Sequence, residues 1–393
     1  MIQTFYLGWR YLAFHRVKTA ILVTSITLIV FLPIGLRVLV DQSSRQLTRR
    51  ASATPLVVGS KGSPLELALN TLYFRSEVPE PLKYSEAAEV AGTGLARTIP
   101  LYVRFRSRGW PIVGTTLDYF EFRGLRVAAG RQMAMLGECV LGSRVAEEMD
   151  VGPGDHVVSS PESVFDLAGV YPLKMRVAGV LAYADTADDD AVFVDLKTSW
   201  VIQGLGHGHQ DLTRPEASSG VLKRDDSNVT ANASVVQYTE ITEDNADSFH
   251  FHGGLSEYPL TAIIVVPPDQ KSSTILQGRY EAKESPTQIV RPVTVMDELL
   301  ETILTVQSFV VAGAVVVGLA TLASASLVFL LSLRLRRREI ETLFKIGGSR
   351  AAVGTVMVFE VVVVLLTSVV LAAGLTLLTR EFGPAAIRAF IRM

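Results

Sequence analysis

Four of the six histidines fall in one polar stretch: His207 and His209 in GHGHQD, and His250 and His252 in FHFH. Along a strand, successive side chains point to opposite faces. A His-x-His spacing therefore puts both rings on one side, where paired imidazoles suit a divalent metal such as zinc or copper. Asp211 stands close enough in sequence to add a carboxylate. The two pairs are far apart in the chain and nothing in their spacing makes them meet. The simpler reading is polar strand and loop side chains without a ligand. A metal here fits sensing or structure better than catalysis, because no glutamate base stands at the H-E-x-x-H spacing.

A second polar group lies between two apolar runs. Arg336, Arg337 and Arg338 lead into Glu339, Glu341, Leu343, Lys345, Gly347, Gly348, Ser349 and Arg350. Glu341 and Lys345 form an i,i+4 pair on a helix surface. Gly347-Gly348 ends that helix through a left-handed cap, and Ser349 is placed to cap the next one. A short, stiff turn between membrane helices is something a cytoplasmic partner can push. It is also, more plainly, a helix hairpin with solvated charges. Glu360 sits about two turns into the next apolar run, where an ionisable group faces protein or water. A structural contact with a neighbouring helix fits it better than a snorkelling carboxylate. A proton relay fits least, since the sequence shows no second membrane acid or histidine as its partner.

Catalytic patterns are missing. There is no G-x-x-x-x-G-K-[ST] phosphate loop and no G-x-S-x-G elbow. Gly59-Ser60-Lys61-Gly62-Ser63 has its residues in the wrong order and reads as a turn between strand and helix. Cys139 is the only cysteine, which excludes intrachain disulfides and thiolate cages. The chain is not read as an enzyme. The net charge of −2 argues against nucleic acid as a partner.

These residues must be positioned by the elements around them. Three apolar runs, residues 19–40, 309–333 and 353–378, are each long enough to cross a hydrocarbon core of about 30 Å as a helix. The first could also be a signal peptide, but its length and the lack of a clear small-x-small cleavage site after it favour a membrane helix. Arg10, Arg16 and Lys18 precede the first run; Arg334, Arg336, Arg337, Arg338, Lys345 and Arg350 follow the second. Positive flanks stay in the cytoplasm, which puts the polar stretch between these runs outside. That stretch, residues 41–302, is long enough for its own core. The division expected is residues 1–40 (cytoplasmic segment and first helix), 41–302 (outer domain, with a His/Gly/Asp-rich insertion at 204–254), 303–335 (second helix), 336–352 (cytoplasmic loop), 353–378 (third helix) and 379–393 (short tail).

The outer domain reads as mixed α and β. Short β-branched runs at 55–59, 101–105, 138–141, 175–181, 191–194 and 261–266 predict strands. Helical patterns cover 64–73 and 143–149, Gly152-Pro153-Gly154-Asp155 is a tight turn, and 204–254 reads as long loops or a hairpin insertion.

The pieces together resemble a known family. Arg338-Glu339-Ile340, Leu343, Lys345-Ile346-Gly347-Gly348-Ser349-Arg350 and Phe359-Glu360 are similar to the cytoplasmic loop and following helix of FtsX-like permeases, the group that contains MacB and LolC/LolE. Gly130-Arg131, Val140-Leu141-Gly142-Ser143-Arg144-Val145-Ala146, Gly152-x-Gly154-Asp155 and Val177-Ala178-Gly179-Val180-Leu181 resemble the MacB-type periplasmic domain. The resemblance implies a bacterial inner-membrane protein with a mixed α/β extracytoplasmic domain inserted between its first and second membrane helices. It implies the permease subunit of an ABC transporter that dimerises with itself or a related permease. A separate ATPase binds ATP and drives it, and motion rather than cargo crosses the membrane. The cargo class is lipoprotein, lipid, peptide or drug, with a periplasmic adaptor or outer-membrane protein as further partner and membrane lipids around the helices. The alternatives are a signalling protein that controls an extracytoplasmic partner, and a metal-sensing membrane module. The family has four membrane helices, whereas only residues 379–393 follow the third run here. The 11 residues after Phe382 span about 16 Å as a helix, so the C-terminus is expected outside, either as a short amphipathic helix on the outer surface or as a shortened product.

Overall fold

The computed structural model describes residues 2–160, 172–209, 221–224, 229–231, 238–282, 286–335, 337, 341–342, 345 and 349–391. They form two units, Arg50–Met296 and Met1–Arg49 with Asp297–Met393.

In the first unit the strands are β1 (Leu56–Ser60), β2 (Leu82–Lys83), β3 (Arg97–Ser107), β4 (Trp110–Thr115), β5 (Val127–Gly130), β6 (Glu138–Leu141), β7 (His156–Val158), β8 (Lys174–Leu181), β9 (Val192–Asp195), β10 (Gly206–Gly208), β11 (Val221–Arg224), β12 (Val229–Ala231), β13 (Phe249–Phe251), β14 (Pro259–Leu260), β15 (Ala262–Val266) and β16 (Thr287–Val290). Ten of them make one sheet in the order β16-β1-β15-β3-β4-β9-β6-β8-β5, with β7 also paired to β8. The pairs β4/β9 and β6/β8 are parallel; the other pairs in this sheet are antiparallel.

Both faces of the sheet are covered. Leu56 and Val58 enter one apolar cluster and Val57 the other; Val192 and Val194 enter one and Phe193 the other. Two-residue alternation feeds both faces, so these strands read as unbroken apolar runs. Helices Tyr84–Gly92, Leu196–Ile202 and Gln270–Ala282 close one face with Val90, Trp200 and Leu276. Helices Pro64–Tyr73 and Asp118–Arg123 close the other with Leu67, Tyr119 and Phe120. Helix Pro64–Tyr73 starts where Ser63 Oγ accepts from Glu66 N at 3.2 Å, with a proline just inside.

The strands expected at 55–59, 101–105, 138–141, 175–181, 191–194 and 261–266 appear as β1, β3, β6, β8, β9 and β15. Strand β3 is longer than the expected 101–105, because both of its neighbours, β15 and β4, extend its pairing. Strand β4 (WPIVGT) was not expected from its proline and glycine; it forms because β3 and β9 flank it on both edges. Two of the motif pieces prove to be one backbone contact. Gly130 of β5 opposes Gly179 of β8. A Cβ on Gly130 would lie 2.3 Å from Ala178 O, and one on Gly179 2.3 Å from Arg131 O, so only glycine lets the strands approach. Arg131 leaves this contact to pair with Glu138, Nη1 to Oε2 at 2.7 Å, and Glu138 also accepts from Ala134 N and Met135 N.

The second unit is helical. Its helices are Ile2–Phe14, the part of Arg16–Ser52 up to Arg49, the part of Pro292–Leu335 from Asp297, and Arg350–Ile391. Among the described residues three helices are long and apolar enough to cross a membrane, over Arg16–Gln42, Pro292–Ser324 and Val353–Gly383. Val315, Val316, Leu319, Leu366 and Val370 are exposed along them, as befits helices with lipid for solvent. Polar side chains join the first and last helices: Thr27 Oγ1 donates to Ser368 O at 3.3 Å, and Ser368 Oγ lies 3.3 Å from Val23 O. The N-terminal segment, expected only as a cytoplasmic stretch, is a helix whose Phe5 ring packs against Phe359, tilted, with ring centroids 5.1 Å apart. The tail expected as a separate piece from residue 379 continues the last helix through Gly383 and Pro384 to Ile391.

Candidate functional site

The two His-x-His pairs meet. Strand β10 runs antiparallel to β13 with Gly206 opposite Phe251, His207 opposite His250 and Gly208 opposite Phe249. Because side chains alternate, His209 and His252 fall on the same face as the opposed His207 and His250. Ring centroids are 4.7 Å apart for His207 and His250, 4.8 Å for His207 and His252, and 4.9 Å for His250 and His252. His209 is 5.2 Å from His250 and 5.9 Å from His207. One ligand-capable atom from each of His207, His209 and His250 lies within 4.8 Å of the other two. Asp211 lies outside the described residues.

The other face of the ladder explains why this one carries imidazoles. Gly206 and Gly208 leave room for the facing phenylalanines: a Cβ on Gly206 would lie 2.7 Å from the Phe251 ring, and one on Gly208 2.5 Å from the Phe249 ring. Phe249 and Phe251 pack against the core. Tyr258, buried against Trp200 at 4.9 Å between ring centroids, donates its hydroxyl to His252 O at 2.7 Å. His252 N donates to Leu205 O at 3.2 Å, continuing the ladder by one pair. A one-residue slip would expose both phenylalanines and bury the histidines, so the register is fixed by the Gly/Phe face.

His207 is half-buried. Its imidazole is held below the ordinary range, first by burial and then by His250, His252 and His209 around it. His250 Nδ1 lies 3.1 Å from Ser248 O. A carbonyl only accepts, so Nδ1 is the donor in this contact and Nε2 is the ring nitrogen it leaves unengaged by Ser248.

A second constellation escaped the sequence reading. Arg50 Nη1 and Nη2 bind Asp188 Oδ2 and Oδ1 at 2.6 and 2.9 Å, and Nη2 lies 2.9 Å from Tyr119 OH. Tyr119 OH donates to Asp188 Oδ1 at 2.7 Å and Thr186 Oγ1 to Asp188 Oδ2 at 3.0 Å. The Arg50 and Asp188 side chains are only 8% and 2% exposed. Burial opposes both charges. Even so, Tyr119 and Asp188 hold the Arg50 guanidinium above its ordinary range, and Arg50 holds the Asp188 carboxyl below its own. Burial pushes the Tyr119 hydroxyl up to about 12. The sequence signal was the run Asp188-Asp189-Asp190 directly before an apolar strand, where three carboxylates need partners. Asp189 supplies the second partner set: its Oδ1 accepts from Ser143 Oγ at 2.9 Å and from Ala184 N at 3.0 Å.

Of the expected coupling residues, Glu339, Leu343, Gly347 and Gly348 lie outside the described residues. Glu341 and Lys345 are exposed, and Glu341 pairs with Arg337 at 3.4 Å, one turn earlier on the same i,i+4 spacing. Ser349 directly precedes the helix that begins at Arg350, and its carbonyl accepts from Val353 N at 3.3 Å. Glu360 is 5% exposed. It lines a cavity of about 480 Å³ with Tyr11, His15, Lys18, Thr19 and Ser326. The sequence showed no histidine near it; the fold brings His15 and Lys18 to the same cavity.

The family described as the MacB-like periplasmic core domain matches residues 19–235. No curated protein matches the chain. Among solved structures, the periplasmic region of MacB from Actinobacillus actinomycetemcomitans is 14% identical, with 63% of this chain and 92% of that one covered and a TM-score of 0.34. The extracellular domain of the noncanonic ABC-type transporter YknZ from Gram-positive bacteria is 11% identical, with coverage of 60% and 98% and a TM-score of 0.32. A domain of a putative permease protein from Porphyromonas gingivalis is 11% identical, with coverage of 60% and 86% and a TM-score of 0.26.

Proposed function

The chain belongs to the MacB-like periplasmic core domain family, and from that premise we propose that it is the membrane subunit of an ABC-type transporter, driven by a separate cytoplasmic ATPase. The observation that carries this reading is the extent of the match. Residues 19–235 take in the first apolar helix and most of the outer domain, the two parts that a mechanical link through a membrane has to join. Two further helices long and apolar enough to span, Pro292–Ser324 and Val353–Gly383, follow that domain.

In this reading the protein sits in a bacterial inner membrane with its α/β domain outside, as a homodimer or paired with a related permease. The ATPase binds below and presses on Glu339, Glu341, Leu343, Lys345, Gly347, Gly348, Ser349 and Arg350. Helix 292–335 carries the motion upward, and the outer domain passes it to lipoprotein, lipid, peptide or drug, with a periplasmic adaptor or outer-membrane protein receiving the cargo. ATP is hydrolysed by the partner and not by this chain.

The test is purification of the full chain from its native membranes. An ABC ATPase should accompany it, and the reconstituted pair should hydrolyse ATP. Gly347→Val would strain the left-handed cap expected there from the sequence, at about 1 kcal/mol or more, and Glu341→Lys reverses an exposed charge within the proposed contact. Both should lower co-purification and hydrolysis while the outer domain stays folded. Unchanged hydrolysis in both variants would remove 339–350 from the coupling path, and absence of any ATPase would overturn the transporter reading.

A further inference from the structure

We propose that His207, His209, His250 and His252 form a binding site for a divalent transition-metal ion, zinc or copper, on the outer domain. The donors come from two short strands far apart in sequence, and the ladder between them places all four rings on one face. Zinc–imidazole bonds of about 2.0–2.1 Å put tetrahedral ligand nitrogens about 3.3 Å apart. The candidate nitrogens of His207, His209 and His250 already lie within 4.8 Å of one another. Binding would draw them together by at most about 1.5 Å. His252, 4.8 Å from His207 by ring centroid, supplies the fourth donor.

The donor set selects the ion. Imidazole nitrogens suit zinc and copper, whereas magnesium and calcium take oxygen ligands. The only cysteine, Cys139, is buried in β6, so no thiolate competes. His250 Nδ1 lies 3.1 Å from Ser248 O, the kind of outer-shell contact that orients a metal-bound histidine through its other nitrogen. The ladder is anchored by Phe249, Phe251 and Tyr258, which pack in the core on its other face. A bound ion cross-links β10 to β13, strands joined in sequence by residues 209–248.

This inference does not depend on the transporter reading, because its test needs no ATPase. The full chain, purified in detergent with a histidine-free affinity tag and stripped with a chelator, is titrated with Zn2+ alone and with Cu2+ alone against a chromophoric competitor. One ion per chain should bind with micromolar or tighter affinity. His207→Ala and His250→Ala should each weaken binding by about tenfold or more, and the double variant should abolish it. His156→Ala, which removes the histidine paired with Glu240 at 2.9 Å, should leave it unchanged. X-ray absorption at the metal edge should show three or four imidazole nitrogens and no sulfur. The two titrations decide which ion is preferred. A folded chain that binds neither ion, binding that survives the double variant, or a sulfur ligand would each overturn the proposal.

Discussion

The buried pair of Arg50 and Asp188 makes a sharp energetic prediction. Asp188 accepts four hydrogen bonds: Arg50 Nη2 and Tyr119 OH on Oδ1, Arg50 Nη1 and Thr186 Oγ1 on Oδ2. Asp188→Asn turns one oxygen into an N–H donor, so two of the four are lost and Arg50 keeps its charge without a counter-ion. Arg50 is 8% exposed on its side chain, and removing one partner of such a pair costs about 3–5 kcal/mol. A domain near 250 residues loses about 2–4 °C of melting temperature per kcal/mol, so the expected fall is roughly 6–20 °C. Trp200, buried against Tyr84 and Tyr258, reports the transition by fluorescence once Trp9 and Trp110 are changed to Phe. Arg50→Met with Asp188→Leu should recover much of the loss, because an apolar pair leaves no buried charge. The pH dependence has a definite sign. Arg50 depresses the folded carboxyl of Asp188 below its ordinary value, about 3.9 in the unfolded chain, so near and below that pH the unfolded state binds more protons. The contribution is complete above about pH 4–5 and is lost as pH falls through the lowered folded value. Asp188→Asn should flatten that acid limb. A shift under about 2 °C, or a double variant no more stable than the single, would refute the reasoning.

Two further outcomes can be checked directly. Gly208→Val places a Cβ where 2.5 Å separates it from the Phe249 ring; it should disrupt the β10–β13 ladder and weaken zinc binding as much as loss of a histidine does, with no ligand removed, and retention of full affinity would mean that the ladder does not position the site. For orientation, in a Cys139→Ser background, Ser219→Cys should react with an impermeant thiol reagent in intact spheroplasts while Ser349→Cys should not; the opposite pattern would invert the topology.

Local composition made the membrane helices and much of the sheet legible. A run such as 353–378 needs no tertiary partner to be helical in lipid, because every backbone hydrogen bond closes within the segment. Strands β6, β8 and β9 were readable because a sheet buried on both faces leaves continuous apolar runs. The family motifs were visible as Gly130-Arg131 and Val177–Leu181 written as separate pieces, yet their reason, the contact of Gly130 with Gly179, belongs to strand pairing and not to either piece. Strand β4 was hidden because its proline and glycine are tolerated only where β3 and β9 hold it on both sides.

The histidines divide the same way. The two-residue period alone put His207 with His209, and His250 with His252, on one side of a strand. Their convergence depended on the pairing of His207 with His250, and that register is set by Phe249 and Phe251 seeking the core. The Arg50–Asp188 pair lay further from the sequence still: 138 positions separate the two residues, and no local pattern says which arginine answers which carboxylate. Periodicity and hydropathy are properties of a segment and survive in the sequence. Register, burial of charge and the meeting of distant ligands are decided by which surfaces exclude water together, and only the folded chain determines that.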